Sequence, residues 1–236
     1  MTASVLTQLH SSYNRLQGKH RMGKSVMLEK HKAIYVPIPK VACTSLFKAC
    51  AEILKINDSQ RSVHDIYFPG INDLSRLAQY EEYFKFAFVR NPWDRLVSCY
   101  CNKIKSDSSV NNRWFKDGVS KGLSRYGNDF EAGMSFEDFA NSVLNIPDEL
   151  AEKHFRAQHT FITDREGLLI VDFVGKFESL REDFALICDR LNSEQINIPH
   201  LQKSSRESYK GYYSHALRDK VSKRFSQDIK LFKYTF

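Results

Sequence analysis

The chain has 236 residues, 42% of them hydrophobic and 27% charged, which are ordinary globular proportions and enough length to bury a core without disulfide staples. Its 35 Lys and Arg against 28 Asp and Glu give a formal charge of +7, favouring an anionic partner: nucleotide, nucleic acid, acidic glycan or anionic membrane. The five cysteines are an odd count with no CxxC and no His/Cys ligand spacing, so neither a disulfide framework nor a zinc site is indicated, and no run approaches the roughly 18 apolar residues of a membrane span.

Residues 1–30 are polar and basic with little periodicity and read as an N-terminal arm or peripheral segment. They lack the apolar core of a signal peptide, so a soluble, cytoplasmic protein is expected. A single domain then runs from 31 to 236. "KAIYVPI" (32–38) reads as a strand, with Tyr35 and Val36 favouring extended backbone and Pro37 and Pro39 disfavouring helix before them. Leu46, Phe47, Cys50, Ile53 and Leu54 next fall on one helical face, with Thr44 and Ser45 suited to cap that helix.

"FKFAFV" (84–89) is a second strand, and "RNPWDRLVSCYCNKIK" continues it as a helix with Asn91 at the N-cap and Pro92 at the first helical position. Trp93, Leu96, Val97, Tyr100 and Ile104 make its buried face, while Asp94, Ser98, Cys101 and Lys105 lie on another. The stretch from Asn102 to Gly133 is polar and Gly-dotted and reads as a mobile loop. "LLIVDFVGKF" (168–177) is a third strand, "FESLREDFALICDRL" a strand end plus helix, and the tail from Ser214, with Leu217, Val221, Phe225 and Phe232, a closing helix. Strands alternating with helices predict a parallel sheet covered on both faces.

The chemistry concentrates in "YVPIPKVACTSLFKAC" (35–50), where a strand meets a lysine, then a Thr-Ser pair at a helix start, with no glycine. A strand running through a tight loop into a helix N-terminus presents main-chain N–H groups to a phosphate. Walker A requires Lys directly before the hydroxyl residue, but Lys40 stands four residues before Thr44, which disfavours an ordinary P-loop NTPase. A second strand–Arg–helix unit carries Arg90 and Ser98. Two anion sites at neighbouring strand ends suit a nucleotide with phosphates at both ends.

These residues resemble known motifs. "PKVACTS" is similar to the 5′-phosphosulfate loop, and "FAFVRNPWDRLVSCY" to the 3′-phosphate strand and helix, of PAPS-dependent carbohydrate sulfotransferases, the branch with the chondroitin, HNK-1 and heparan sulfate 2-O-sulfotransferases. "HFRAQHTFI", "DFVGKFESLREDF" and "FSQDIKLFKYTF" look like later landmarks of that branch, so the resemblance runs from about Ile34 to the end. Its Golgi members carry a transmembrane anchor and lumenal cysteine pairs that this sequence does not show, so Golgi residence and their particular substrates do not transfer.

The resemblance implies an α/β fold: a P-loop-NTPase-like central parallel β-sheet flanked by helices on both faces. It also implies transfer of a sulfuryl group from PAPS to a hydroxyl, of a saccharide or another hydroxylated acceptor, with no metal. Pro39, Lys40, Val41, Ala42, Cys43, Thr44 and Ser45 would bind the 5′ end of the cofactor and Arg90 and Ser98 its 3′-phosphate, assisted by Ser205 and Arg206 of a late basic loop. Lys40 would also be catalytic, while Cys43 reads as a small filler rather than a nucleophile. For the base, His64 in "SVHDIYF" comes first by chain order and His154 second, with Arg156 and Gln158 near it to line an acceptor pocket; His159 is a third candidate.

Two rivals follow from the same residues. A Mg²⁺-dependent kinase would use "LLIVD" as a Walker B strand ending at Asp172, which the failed Walker A opposes. A non-catalytic module for anionic glycan or nucleic acid rests on the net charge and on the basic, Tyr-rich segment 201–214. No basic stripe accompanies that segment elsewhere, so nucleic acid is not expected as a partner.

Overall fold

The structure, a computed structural model, describes residues 25–56, 66–71, 74–198 and 208–236. In chain order the strands are β1 (Val26–Leu28), β2 (Ala33–Val36), β3 (Phe84–Val89), β4 (Phe115–Lys116), β5 (Val119–Ser120) and β6 (Phe173–Lys176). The helices are α1 (Cys43–Ile53), α2 (Pro92–Lys103), α3 (Phe136–Leu144), α4 (Leu180–Arg190), α5 (His215–Arg224) and α6 (Ser226–Phe232). The described residues fall into two compact units, one drawn from Lys19–Arg90 and Gln158–Ser205, the other from Asn91–Ala157 and Arg206–Phe236.

The first unit is a mixed α/β layer built on a sheet of order β1-β2-β3-β6. β2 runs parallel to β3 and β3 to β6, while β1 closes the edge antiparallel to β2. Helix α1 packs on β1 and α4 on β6. Every residue of β2, and all of β3 after Phe84, is buried, and because successive strand residues point to opposite faces, both faces of these strands are covered. Tyr35 and Phe86 are register partners and stack with ring centroids 5.5 Å apart. Within the segment read as an arm, Val26, Met27 and Leu28 are buried as β1, three apolar residues too few to give a periodic signal.

The third strand is shorter than predicted. β6 begins at Phe173, whereas Leu168 and Leu169 are 66% and 44% exposed on a local turn in which Asp164 N–H donates to Leu168 O and Thr163 bridges Leu169. Gly175 stands directly opposite Phe88, and a Cβ there would overlap Cε1 of the Phe88 ring and lie 2.7 Å from its Cδ1. Gly175→Ala is therefore expected to destabilise the protein by about 1–3 kcal/mol through overpacking, read as a lowered denaturant midpoint; an unchanged midpoint would show that the ring relocates without cost.

The second unit is built from α2, α3, α5 and α6, with α2 and α5 packed on α3 and on each other. Asn91 caps α2 as its sequence predicts, its Oδ1 accepting from the N–H groups of Trp93 (3.1 Å) and Asp94 (3.4 Å), with Pro92 at the first helical position. The closing helix is two helices, with Phe225 as the irregular junction between α5 and α6 and Ser214 capping α5 through Leu217 N–H. The predicted loop from Asn102 to Gly133 instead holds the β4–β5 hairpin and buries Val119, Leu123 and Phe130. Asp117 and Gly118 both have positive φ (49° and 74°), the two-residue turn that an Asp-Gly pair favours.

Candidate functional site

After β2 the chain passes through Pro37–Ala42 and enters α1 at Cys43. Lys40 (φ 71°) and Ala42 (φ 48°) are both left-handed, although neither is glycine. Such residues cost on the order of 1–3 kcal/mol each and cluster at functional sites, where a tight loop must turn its main chain toward a ligand. The α1 N-cap is Ala42, which makes no side-chain cap bond, and the bond from Leu46 N–H to Ala42 O (3.0 Å) opens the helix. Thr44 and Ser45 are thus not caps. The left-handed Ala42 starts the helix earlier than their side chains suggested, and they occupy its first turn, at the positive end of the helix dipole.

Cys43 donates its thiol to Ile38 O (2.9 Å), and Tyr35 Oη lies 4.0 Å from its sulfur, so the thiol ties the helix start to the loop entrance. That arrangement suits a structural filler better than a nucleophile.

Arg90 follows β3 and is nearly buried, at 9% exposure. Its Nη1 donates to Lys40 O (3.2 Å), and its guanidinium lies 4.0 Å from the centre of the Phe177 ring. Its main chain is held by Gln158, whose Oε1 accepts Arg90 N–H (2.9 Å) and whose Nε2 donates to Arg90 O (2.8 Å). The sequence brought Gln158 forward for an acceptor pocket; the structure gives its amide to Arg90 instead. Lys40, Arg90, Gln158 and Phe177 thus form one assembly in the first unit. Asp172, the carboxylate a Walker B strand would offer, accepts Lys85 N–H (2.7 Å) beside the sheet.

In the second unit Ser98 is half-buried on α2. Arg95, one helical turn before Cys99, is 3% exposed and donates to Arg156 O (2.8 Å) and Lys153 O (3.2 Å). It pins the segment that carries His154. Arg224 donates to the Asp148 carboxylate (2.7 and 2.9 Å), Asp148 accepts Ala157 N–H, and the Arg156 guanidinium donates to Ala151 O. Within this frame Glu152 accepts from His154 N–H and, with both oxygens at 2.8 Å, faces His154 Nδ1.

Burial pushes the His154 imidazole below its usual range, outweighing the upward pull of Glu152. Burial alone would raise the Glu152 carboxyl, but its hydrogen bonds from His154 and the neighbouring positive charge hold it below the usual carboxylate range. An ionised carboxylate only accepts, so Nδ1 carries the proton and Nε2 of the neutral ring keeps its lone pair.

His159 lies in a 3-10 turn and its carbonyl accepts from Thr163. His64, Ser205 and Arg206 lie outside the described residues. Sequence reading missed Glu152, Arg95 and Phe177. Only the Glu-x-His spacing offered a signal, since the partners of Arg95 are carbonyls and that of Phe177 is distant in sequence.

The profile of the Sulfotransferase family matches residues 24–235, from β1 through nearly the last residue. The chain belongs to the Sulfotransferase family. The family match takes in the Lys40 loop, Arg90, Ser98 and the Glu152–His154 segment together. Carbohydrate sulfotransferase 14 of Danio rerio is 26% identical over 210 residues, 81% of this chain and 54% of that protein. Carbohydrate sulfotransferase 11 of Mus musculus is 26% identical over 234 residues, 86% and 60% of the two chains, and carbohydrate sulfotransferase 8 of Mus musculus 24% over 191 residues, 73% and 44%. This family member thus spans about half the length of the curated relatives it matches. No solved structure matches it significantly. Among the described residues of this sulfotransferase-family chain, no helix is long and apolar enough to cross a membrane, and no group of three or more His, Cys, Asp or Glu is placed to hold a metal ion.

Proposed function

We propose that the protein is a PAPS-dependent O-sulfotransferase acting on a hydroxyl of a saccharide or related acceptor, on a P-loop-NTPase-like version of its α/β fold. The observation that carries this reading is the left-handed, glycine-free Lys40–Ala42 loop at the start of α1, joined by its Lys40 carbonyl to the Arg90 guanidinium. Such a loop accepts its backbone strain in order to aim main-chain N–H groups at an anion, and the residues present fit a nucleotide phosphate. The names of the curated relatives favour a saccharide acceptor.

Bound PAPS supplies the sulfuryl group and the phosphate leaving group. Within the Pro39–Ser45 loop, Thr44 and Ser45 would hold the 5′-phosphate and Arg90 the 3′-phosphate, for which Ser98, Ser205 and Arg206 are the further candidates that the sequence offers. The Lys40 ammonium would stabilise negative charge developing on the departing phosphate, as fixed cations do in phosphoryl transfer. A histidine would take the acceptor's proton. The Glu152 contact supports His154 for that step, and His64 is the other candidate.

The deciding experiment is calorimetry with PAP, with ATP plus Mg²⁺ and with heparin, followed by ³⁵S transfer from labelled PAPS to a panel of saccharides. PAP is expected to bind without divalent metal, and Arg90→Ala to weaken it by about 1.5–3 kcal/mol, the worth of a charge-assisted contact to phosphate. Binding of ATP only with Mg²⁺, or undiminished PAP affinity in the variant, would overturn the assignment.

A further inference from the structure

We propose that Gln158 and Phe177 are positioning residues for Arg90, and that they set how strongly the site prefers a nucleotide carrying a 3′-phosphate over the same nucleotide without one. The inference rests on the sulfotransferase reading and extends it to two residues that hold Arg90.

Arg90 lies one residue beyond the last register pair of β3 with β6, Val89 with Lys176. Past that pair the ladder no longer holds the main chain, and a strand end of this kind ordinarily relaxes into water. Here Gln158 takes the place of a neighbouring strand, accepting Arg90 N–H at 2.9 Å and donating to Arg90 O at 2.8 Å. The side chain is fully buried, and its two ends are not interchangeable, because Oε1 must face the N–H and Nε2 the carbonyl. The amide therefore fixes the backbone of Arg90 and with it the direction in which the side chain leaves.

Phe177 fixes the other end. It follows β6 directly, so the β3–β6 register that places Lys176 opposite Val89 also carries the ring to Arg90. The guanidinium carbon lies over the ring, 4.0 Å from its centre, which restricts where the side-chain tip can sit, and Nη1 reaches Lys40 O from that place. A long, rotamer-rich side chain is thus held at its root by one buried amide and at its tip by one aromatic face and one carbonyl. An anion-binding group ordered before the ligand arrives loses little freedom on binding, and the gain applies only to a ligand that presents an anion there. Thr44 and Ser45 lie in α1, and the clamp reaches the loop before them only through the bond from Arg90 Nη1 to Lys40 O, so a 5′-phosphate is expected to keep the helix start and its hydroxyls when the clamp is removed.

The test is calorimetric, with PAP and AMP as paired probes that differ by the 3′-phosphate. The quantity read is the ratio of the AMP to the PAP dissociation constant in wild type, Gln158→Met, Phe177→Leu and Phe177→Tyr. Gln158→Met and Phe177→Leu are each expected to lower the ratio on the order of 10-fold while AMP affinity stays near wild type, and Phe177→Tyr, which keeps the ring, to retain it. If Gln158→Met fails to fold, the Phe177 pair decides alone. A wild-type protein that does not prefer PAP to AMP would sink the underlying reading. A wild-type preference that survives in both Gln158→Met and Phe177→Leu would overturn this inference, as would an equal loss of PAP and AMP binding, the mark of a merely structural role.

Discussion

Lys40→Ala is expected to lower kcat by about 10²–10³-fold while PAP affinity falls far less. The asymmetry follows from when the partner charge appears. On the proposed reading the helix start and its hydroxyls would already meet the 5′-phosphate in the ground state, whereas the charge facing the ammonium would grow only in the transition state, and an interaction made mainly there is lost from kcat. The substitution also isolates the side chain cleanly. Lys40 is left-handed, alanine has the same Cβ cost in that region as lysine, and the Lys40 carbonyl that receives Arg90 Nη1 is main chain and survives. Lys40→Gly removes the same ammonium and relieves the φ of 71°, so the two variants separate charge from strain. Single-turnover sulfuryl transfer alongside PAP calorimetry checks the split; equal losses in both would assign Lys40 to binding and not to the chemical step.

The parts of this site that were legible in the sequence are those fixed by local rules. β2 and β3 announced themselves through consecutive β-branched and aromatic residues, and α2 through Asn91, Pro92 and a clear apolar face. The placement of Lys40 and Arg90 at strand ends followed from those elements. What sequence did not carry is long-range or sterically unfavourable. No rule of propensity puts Lys40 and Ala42 in the left-handed region, because the local cost is offset only by the surrounding packing.

Gln158 reaches Arg90 across 68 residues of chain, and a glutamine within "HFRAQHTF" says nothing about which main chain it will satisfy. "LLIV" (168–171) misleads for the opposite reason: its composition is strand-like, but the local turn at Asp164–Gly167 folds it back before the sheet begins at Phe173. The Asp117-Gly118 pair was a readable hairpin signal inside a segment whose polarity hid it.

His154→Ala is expected to reduce turnover by about 10²–10⁴-fold with PAP binding intact, the range for removal of a general base. The contact with Glu152 gives this expectation its chemistry. With the carboxylate accepting at Nδ1, the ring presents Nε2 as the basic atom, and Glu152→Gln puts an amide in place of an obligate acceptor, releasing the constraint on which nitrogen holds the proton. Glu152→Gln should therefore lose turnover without losing PAP affinity, and it should move the pH profile in a defined direction. Burial holds the imidazole below its ordinary range and Glu152 opposes that, so the acid limb of kcat lies below an ordinary histidine's, and removing the carboxylate shifts it lower still. The same depression makes the folded state resist protonation as pH falls below about 6.5, where an unfolded histidine takes up its proton, so stability drops on that side and His154→Ala flattens the loss. A merely structural pair would alter the denaturation profile and leave the acid limb of kcat in place. Wild-type-like transfer by His154→Ala would eliminate it as the base, and a loss confined to His64→Ala would assign the step to that histidine.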